Sequence, residues 1–128
     1  MTLFISLVLI AFLIRVIGFA DVVMYPDEYT YRYRVLSTLN FDWAWSPVFM
    51  WDQPPLHLYI LTALVYFFGS EVTVLRSLSV IAGSLFIGVL YMFGRSILNR
   101  KVGLIAALTI CFNGFHILYS RIAQQEAF

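Results

Sequence analysis

Four apolar stretches, separated by short polar segments, constrain this chain more than any other feature. They run from Leu3 to Phe19, Pro54 to Phe68, Val72 to Gly94 and Val102 to Tyr119. The hydrocarbon core of a bilayer is about 30 Å thick and takes roughly 20 residues of helix. The first, third and fourth stretches reach or approach that length. The second opens on two prolines, contains His57 and covers only roughly 22 Å as a helix. The chain is 62% hydrophobic and 12% charged, where a soluble domain is nearer one half and one quarter. A water-soluble fold of 128 residues does not bury that much apolar surface. The expected fold is therefore an all-α polytopic membrane protein, with transmembrane helices and further helices at the interface. A net charge of +1 gives no nucleic-acid footprint. One cysteine, Cys111, forms no internal disulfide, and no Cys/His spacing suggests zinc.

Charge distribution orients the spans. Arg95, Arg100 and Lys101 cluster between the third and fourth stretches, and positive loops favour the cytoplasm. If the second stretch lies along the interface instead of crossing, the basic cluster falls inside. The chain then has three spans, at about 3–20, 72–94 and 102–120. Asp27-Glu28 and the segment from Arg121 to Glu126 then share the external face of a plasma membrane. The alternative for the first stretch is a cleaved leader, for which Gly18-Phe19-Ala20 offers a weak site. It lacks a basic start and is long for a leader's apolar segment.

The loop covering about 21–70 is expected to be structured. It is dense in aromatics, including Trp43, Trp45 and Trp51, and Tyr and Trp favour the headgroup zone. Asp27 to Leu39 reads as a helix lying on the surface. Pro26 suits its first turn, Asp27 and Glu28 suit its positive end, and Glu28 to Arg32 is a favourable i,i+4 pair. In the third stretch, Ser79/Gly83 and Ser84/Gly88 are small residues four apart, suited to close helix packing.

The adjacent acids at the membrane exit are the chemical signal. Carboxylates are scarce here, seven Asp and Glu in all, and a half-buried one near lipid is expected to have a raised pKa. Read alone, Asp27 also fits as an acid serving the helix dipole. Arg15, Arg76 and Arg121 are candidate phosphate binders because the guanidinium fork matches phosphate oxygens. Arg76 reads better as snorkelling to headgroups. His57 and His116 read as packing or interfacial residues.

In order and spacing, several motifs resemble one family. They are Pro26-Asp27-Glu28 with Tyr31, Asp52-Gln53-Pro54-Pro55-Leu56, Val74-Leu75-Arg76-Ser77, Tyr91 to Arg95, and Tyr119-Ser120-Arg121 through Glu126. The set resembles the N-terminal part of the GT-C glycosyltransferases, nearest the protein O-mannosyltransferases and lipid A aminoarabinose transferases. The resemblance covers nearly the whole chain. It implies transfer of a sugar from a polyprenyl-phosphate-linked donor to a protein, lipid or glycan acceptor on the external face. It also implies that Asp27 and Glu28 are catalytic, that Arg15 and Arg121 bind the donor phosphate, and that Glu126 is a second acid or metal ligand. A divalent metal cation fits this chemistry, since hard cations bind carboxylates and bridge phosphates. Gln53 stands where relatives often carry Lys or His, so it supplies no charge to a phosphate. Relatives have more spans, so this chain is expected to be a truncated N-terminal part. The competing reading is a non-enzymatic small membrane protein, such as a transporter piece or an assembly subunit.

Overall fold

The computed structural model describes residues 2–40 and 55–123, and the structural statements below concern those residues. They form α1 (Thr2–Val16), α2 (Pro26–Leu39), α3 (Pro55–Phe68), α4 (Val72–Ile97), α5 (Arg100–Cys111) and α6 (Gly114–Tyr119). No strand occurs among them. Trp43, Trp45, Trp51, Gln53 and Glu126 lie outside the described residues.

Local chemistry sets the helix ends. Tyr25 is extended ahead of α2, and Pro26 occupies the first turn, where its missing N–H costs nothing. Gly18, at φ +72°, takes the left-handed turn after α1 that a side chain resists. Asn99 Oδ1 accepts from Val102 N at 3.0 Å and starts α5. Asn113 Oδ1 accepts from His116 N at 3.0 Å and starts α6. This second cap corrects the expectation of one continuous helix over 102–120. The asparagine oxygen offers the backbone a competing partner, and the run breaks at Phe112 and Asn113.

Helix α4 is the spine. Its 26 residues extend about 39 Å, and it is the one helix among the described residues long and apolar enough to cross a membrane alone. Thr2–Val16 and Leu56–Phe68 are apolar but shorter. The first half of α4 packs on α2 and α3 through Tyr31, Val35, Leu58, Leu61, Val65, Leu75 and Leu78. Its second half packs on α1 and α5 through Leu7, Ala11, Ile87, Tyr91, Ala107 and Cys111. On the outer surface Leu9, Leu13, Leu85, Val89, Phe93 and Ile105 are exposed, the apolar exterior that a hydrocarbon surround favours.

Glycines set the closest approaches. A Cβ on Gly88 would come 2.5 Å from the Phe4 ring, and one on Gly103 would come 2.6 Å from the Tyr91 carbonyl oxygen. Gly83 faces Ser120. The Gly83 and Gly88 positions therefore act as the small-residue pattern suggested. These contacts run α1 and α5 antiparallel to α4. They gather the end of α1, the start of α2, the first half of α4 and the segment after α6 at one end. Arg95, Arg100 and Lys101 lie toward the other end of α4, roughly 28 Å from Arg76 along the helix.

Gly103→Val places its side chain against backbone, which cannot yield. We expect a loss of about 1–3 kcal/mol, read as a lower unfolding midpoint in detergent micelles, while Ile105→Val on the exposed face leaves it unchanged.

Candidate active site

The end of the bundle that collects α2 also collects most of the charge. Glu28 sits in the third position of α2 and is fully buried, as is Arg76 on α4. Arg76 Nε donates to Glu28 Oε1 at 2.7 Å and Nη2 donates to Oε2 at 2.8 Å. Each carboxylate oxygen receives a second hydrogen bond, Oε2 from Tyr25 N at 2.8 Å and Oε1 from Ala123 N at 2.8 Å. The remaining donors of Arg76 reach the carbonyls of Phe19 at 2.7 Å, Val22 at 3.0 Å and Val23 at 3.5 Å. A bidentate pair with every remaining lone pair and proton used is the geometry in which a buried ion pair is tolerated.

This arrangement revises three expectations. Glu28 pairs with Arg76 across 48 residues instead of with Arg32 on its own helix. Arg76 is buried in that pair instead of snorkelling to headgroups. Burial pushes the Glu28 carboxyl up, but the Arg76 guanidinium and the backbone N–H groups of Ala123 and Tyr25 outweigh it and hold the group below the usual carboxylate range. Its pKa is thus lowered, where a raised one was expected.

Asp27, one residue earlier, points elsewhere and is exposed. It lines an open cleft of about 570 Å³ with Tyr25, Ile110, Asn113, Phe115, His116 and Tyr119. Behind the cleft, Arg15 is fully buried. Its Nη1 donates to the Ala11 carbonyl at 3.0 Å and its Nη2 donates to His116 Nδ1 at 2.8 Å. Its Nε is buried with no hydrogen-bond partner. Arg121, half-buried, donates through Nη2 to the Ile14 carbonyl at 2.6 Å. Its Nε is likewise buried without a partner, and it stands close enough for the two guanidinium charges to act on each other. Their hydrogen bonds among the described residues go to carbonyls and an imidazole, not to a carboxylate, and Arg15 also lies against the Cys111 thiol. A buried guanidinium beside a half-buried one favours an anion.

The structure thus brings Asp27, Arg15 and Arg121 to one end of the fold. Glu126 lies outside the described residues. Among those residues no group of three His, Cys, Asp or Glu gathers to hold a metal ion, so Asp27 fits a divalent cation only with help from beyond them. His57 is buried edge-on to Tyr31 at 5.3 Å. Burial lowers its pKa to about 4, so it is a neutral packing residue. Sequence reading missed the contact of His116 with Arg15. The signal for it was Asn113-Gly114 inside an apolar run, a helix restart that turns His116 inward.

With this geometry in view, comparison with known families is informative. The model of the dolichyl-phosphate-mannose-protein mannosyltransferase family matches residues 52–128, more than half of the chain. The chain belongs to this family. No curated protein and no solved structure matches it. The mannosyltransferase segment contains Arg76, His116, Arg121 and Glu126, while Arg15, Asp27 and Glu28 precede it. The Glu28–Arg76 pair and the Ala123–Glu28 hydrogen bond join the two parts. A mannosyltransferase-family membrane glycosyltransferase therefore has its acidic helix tied directly to its family core.

Removing one partner of the pair leaves a buried charge uncompensated. We expect Glu28→Gln to cost about 3–5 kcal/mol, and Glu28→Leu combined with Arg76→Met to cost less than the two single changes summed. Denaturation of each variant in micelles reads this cycle. Acid acts in two windows. The neutral His57 contributes stability above its unfolded value near 6.5, which is lost as pH falls toward about 4. The Glu28 contribution is present above the usual glutamate range and is lost below it. In His57→Leu only the lower window remains.

Proposed function

We propose that this chain forms the N-terminal catalytic face of a multi-span membrane glycosyltransferase. It transfers a sugar from a polyprenyl-phosphate-linked donor to an acceptor on the external side of the plasma membrane. The observation that carries the reading is the placement of exposed Asp27 at a cleft behind whose His116 wall Arg15 is buried, with half-buried Arg121 near enough to act on it. The family match supports glycosyl transfer, and the family description names a lipid phosphate as sugar carrier.

Sugar transfer from a lipid phosphate places three demands on a site. The acceptor must lose a proton, the departing phosphate must be stabilised, and water must be kept from the donor. Asp27 takes the proton of the acceptor hydroxyl or amine. The acceptor atom bonds to the anomeric carbon, the bond from that carbon to the phosphate oxygen breaks, and the electron pair leaves on the phosphate. Direct displacement inverts the anomeric carbon. Arg15 and Arg121 supply the positive field that the phosphate enters. Glu28 serves the reaction by position: its bonds to Arg76 and Ala123 fix the start of α2, and so Asp27, against the segment that carries Arg121. In the three-span arrangement α3 lies at the interface, the acidic end faces outward, and Arg95, Arg100 and Lys101 face the cytoplasm.

Asp27→Asn is expected to lower turnover by about 10²-fold or more with folding and insertion intact, measured as sugar transfer from a polyprenyl-phosphate-linked donor in membranes. Wild-type turnover in that variant removes Asp27 from the chemistry. In a Cys111→Ser background, Asn99→Cys should resist an impermeant thiol reagent added outside and react once membranes are opened. Labelling from outside in intact cells overturns the orientation.

A further inference from the structure

The protonation pattern of His116, on the wall of the cleft, is dictated by its neighbours. Arginine keeps its charge in proteins and only donates. The 2.8 Å contact from Arg15 Nη2 therefore requires a lone pair on His116 Nδ1. The nearby Ser120 hydroxyl, 3.3 Å from the same nitrogen, is engaged by its 2.6 Å bond to the His116 carbonyl. With Nδ1 accepting, the ring proton resides on Nε2, at the opposite edge of the imidazole.

The ring is also held in place. It stacks on Phe86 with centroids 5.5 Å apart and an interplanar angle of 22°. Its backbone N–H is capped by Asn113 at 3.0 Å. No hydrogen bond among the described residues uses Nε2, and His116 lines the cleft with Asp27. A preoriented N–H donor backed by a buried guanidinium suits an anionic oxygen. Arg15 is fully buried, so besides its field it reaches the cleft through this ring.

We propose that His116, locked as the Nε2–H tautomer by Arg15, donates a hydrogen bond to a non-bridging oxygen of the donor's lipid phosphate. This inference rests on the phosphate reading above. The ring transfers no proton. It holds the phosphate as the bond to the anomeric carbon breaks and negative charge grows on the departing group. Asp27 meanwhile accepts the acceptor's proton on the other side of the cleft. Arg15 becomes a positioning residue, and His116 the group that touches substrate.

The test uses the full chain in micelles, with a short-chain polyprenyl monophosphate as probe and the matching phosphate-free alcohol as control. Nitrogen-15 NMR of the histidine side chains should show His116 protonated at Nε2 and bare at Nδ1. Adding the monophosphate should move the Nε2–H proton downfield, and the alcohol should not. His116→Phe should weaken monophosphate binding about tenfold or more. His116→Gln, which can accept from Arg15 and still donate, should stay within about threefold. A proton on Nδ1, or unchanged binding in His116→Phe, overturns the proposal. If Arg121→Gln weakens binding while His116→Phe does not, the phosphate site stands and the role of His116 falls. If the wild-type chain binds monophosphate no better than the alcohol, both fall.

Discussion

The buried pair of Glu28 and Arg76 is the interaction on which the rest depends. Desolvating two charges costs several kcal/mol each, and the attraction between them offsets that only when geometry and hydrogen bonding are complete. Here every oxygen lone-pair site and every guanidinium N–H has a partner. One ion pair therefore fixes four segments: the turn after α1, the start of α2, the first half of α4 and the segment after α6. A hydrophobic contact could hold two of these together but would not set their register. The directional bonds specify where Asp27 stands.

Around that pair the remaining charge divides by purpose. Arg15 and Arg121 are placed without carboxylate partners among the described residues, and Asp27 stands at the cleft without being drawn into the Glu28 network. A protein optimised only for stability would pair such arginines with carboxylates. Asp27 lies on a cleft lined also by Tyr25, Phe115 and Tyr119, and Arg15 is buried behind its His116 wall. The proposed transfer from a lipid phosphate would draw on such electrostatic preorganisation.

Much of this was legible in the sequence. The apolar runs gave the helices, Pro26 and the acids after it gave the start of α2, and the serine–glycine spacing gave the close packing on α4. The scarcity of charge made Arg15, Asp27 and Arg121 stand out. The partners were not legible. Glu28 had a plausible mate four residues away in Arg32, and helix geometry favours that pair by only about 0.2–0.5 kcal/mol. A buried mate 48 residues on wins because it satisfies the carboxylate out of water, a gain that no local pattern encodes. The break at Asn113 was hidden for a similar reason. Average hydrophobicity across 102–119 reads as one span, and a single side-chain oxygen divides it.

The separation of Glu28 from its partners also governs when the site comes into being. A ribosome adding about 5–20 residues per second releases Glu28 several seconds before Ala123, whose N–H completes the carboxylate shell 95 positions later. For the first half of that interval, until Arg76 follows 48 positions on, α2 carries an acid whose guanidinium partner has not yet been made. The shell around the carboxylate is therefore supplied in chain order: the acid is made first, Arg76 follows on α4, and the last donor comes with the segment after α6. Until that last segment is made, the ion pair stands with one carboxylate lone pair still open, the one that Ala123 N–H closes.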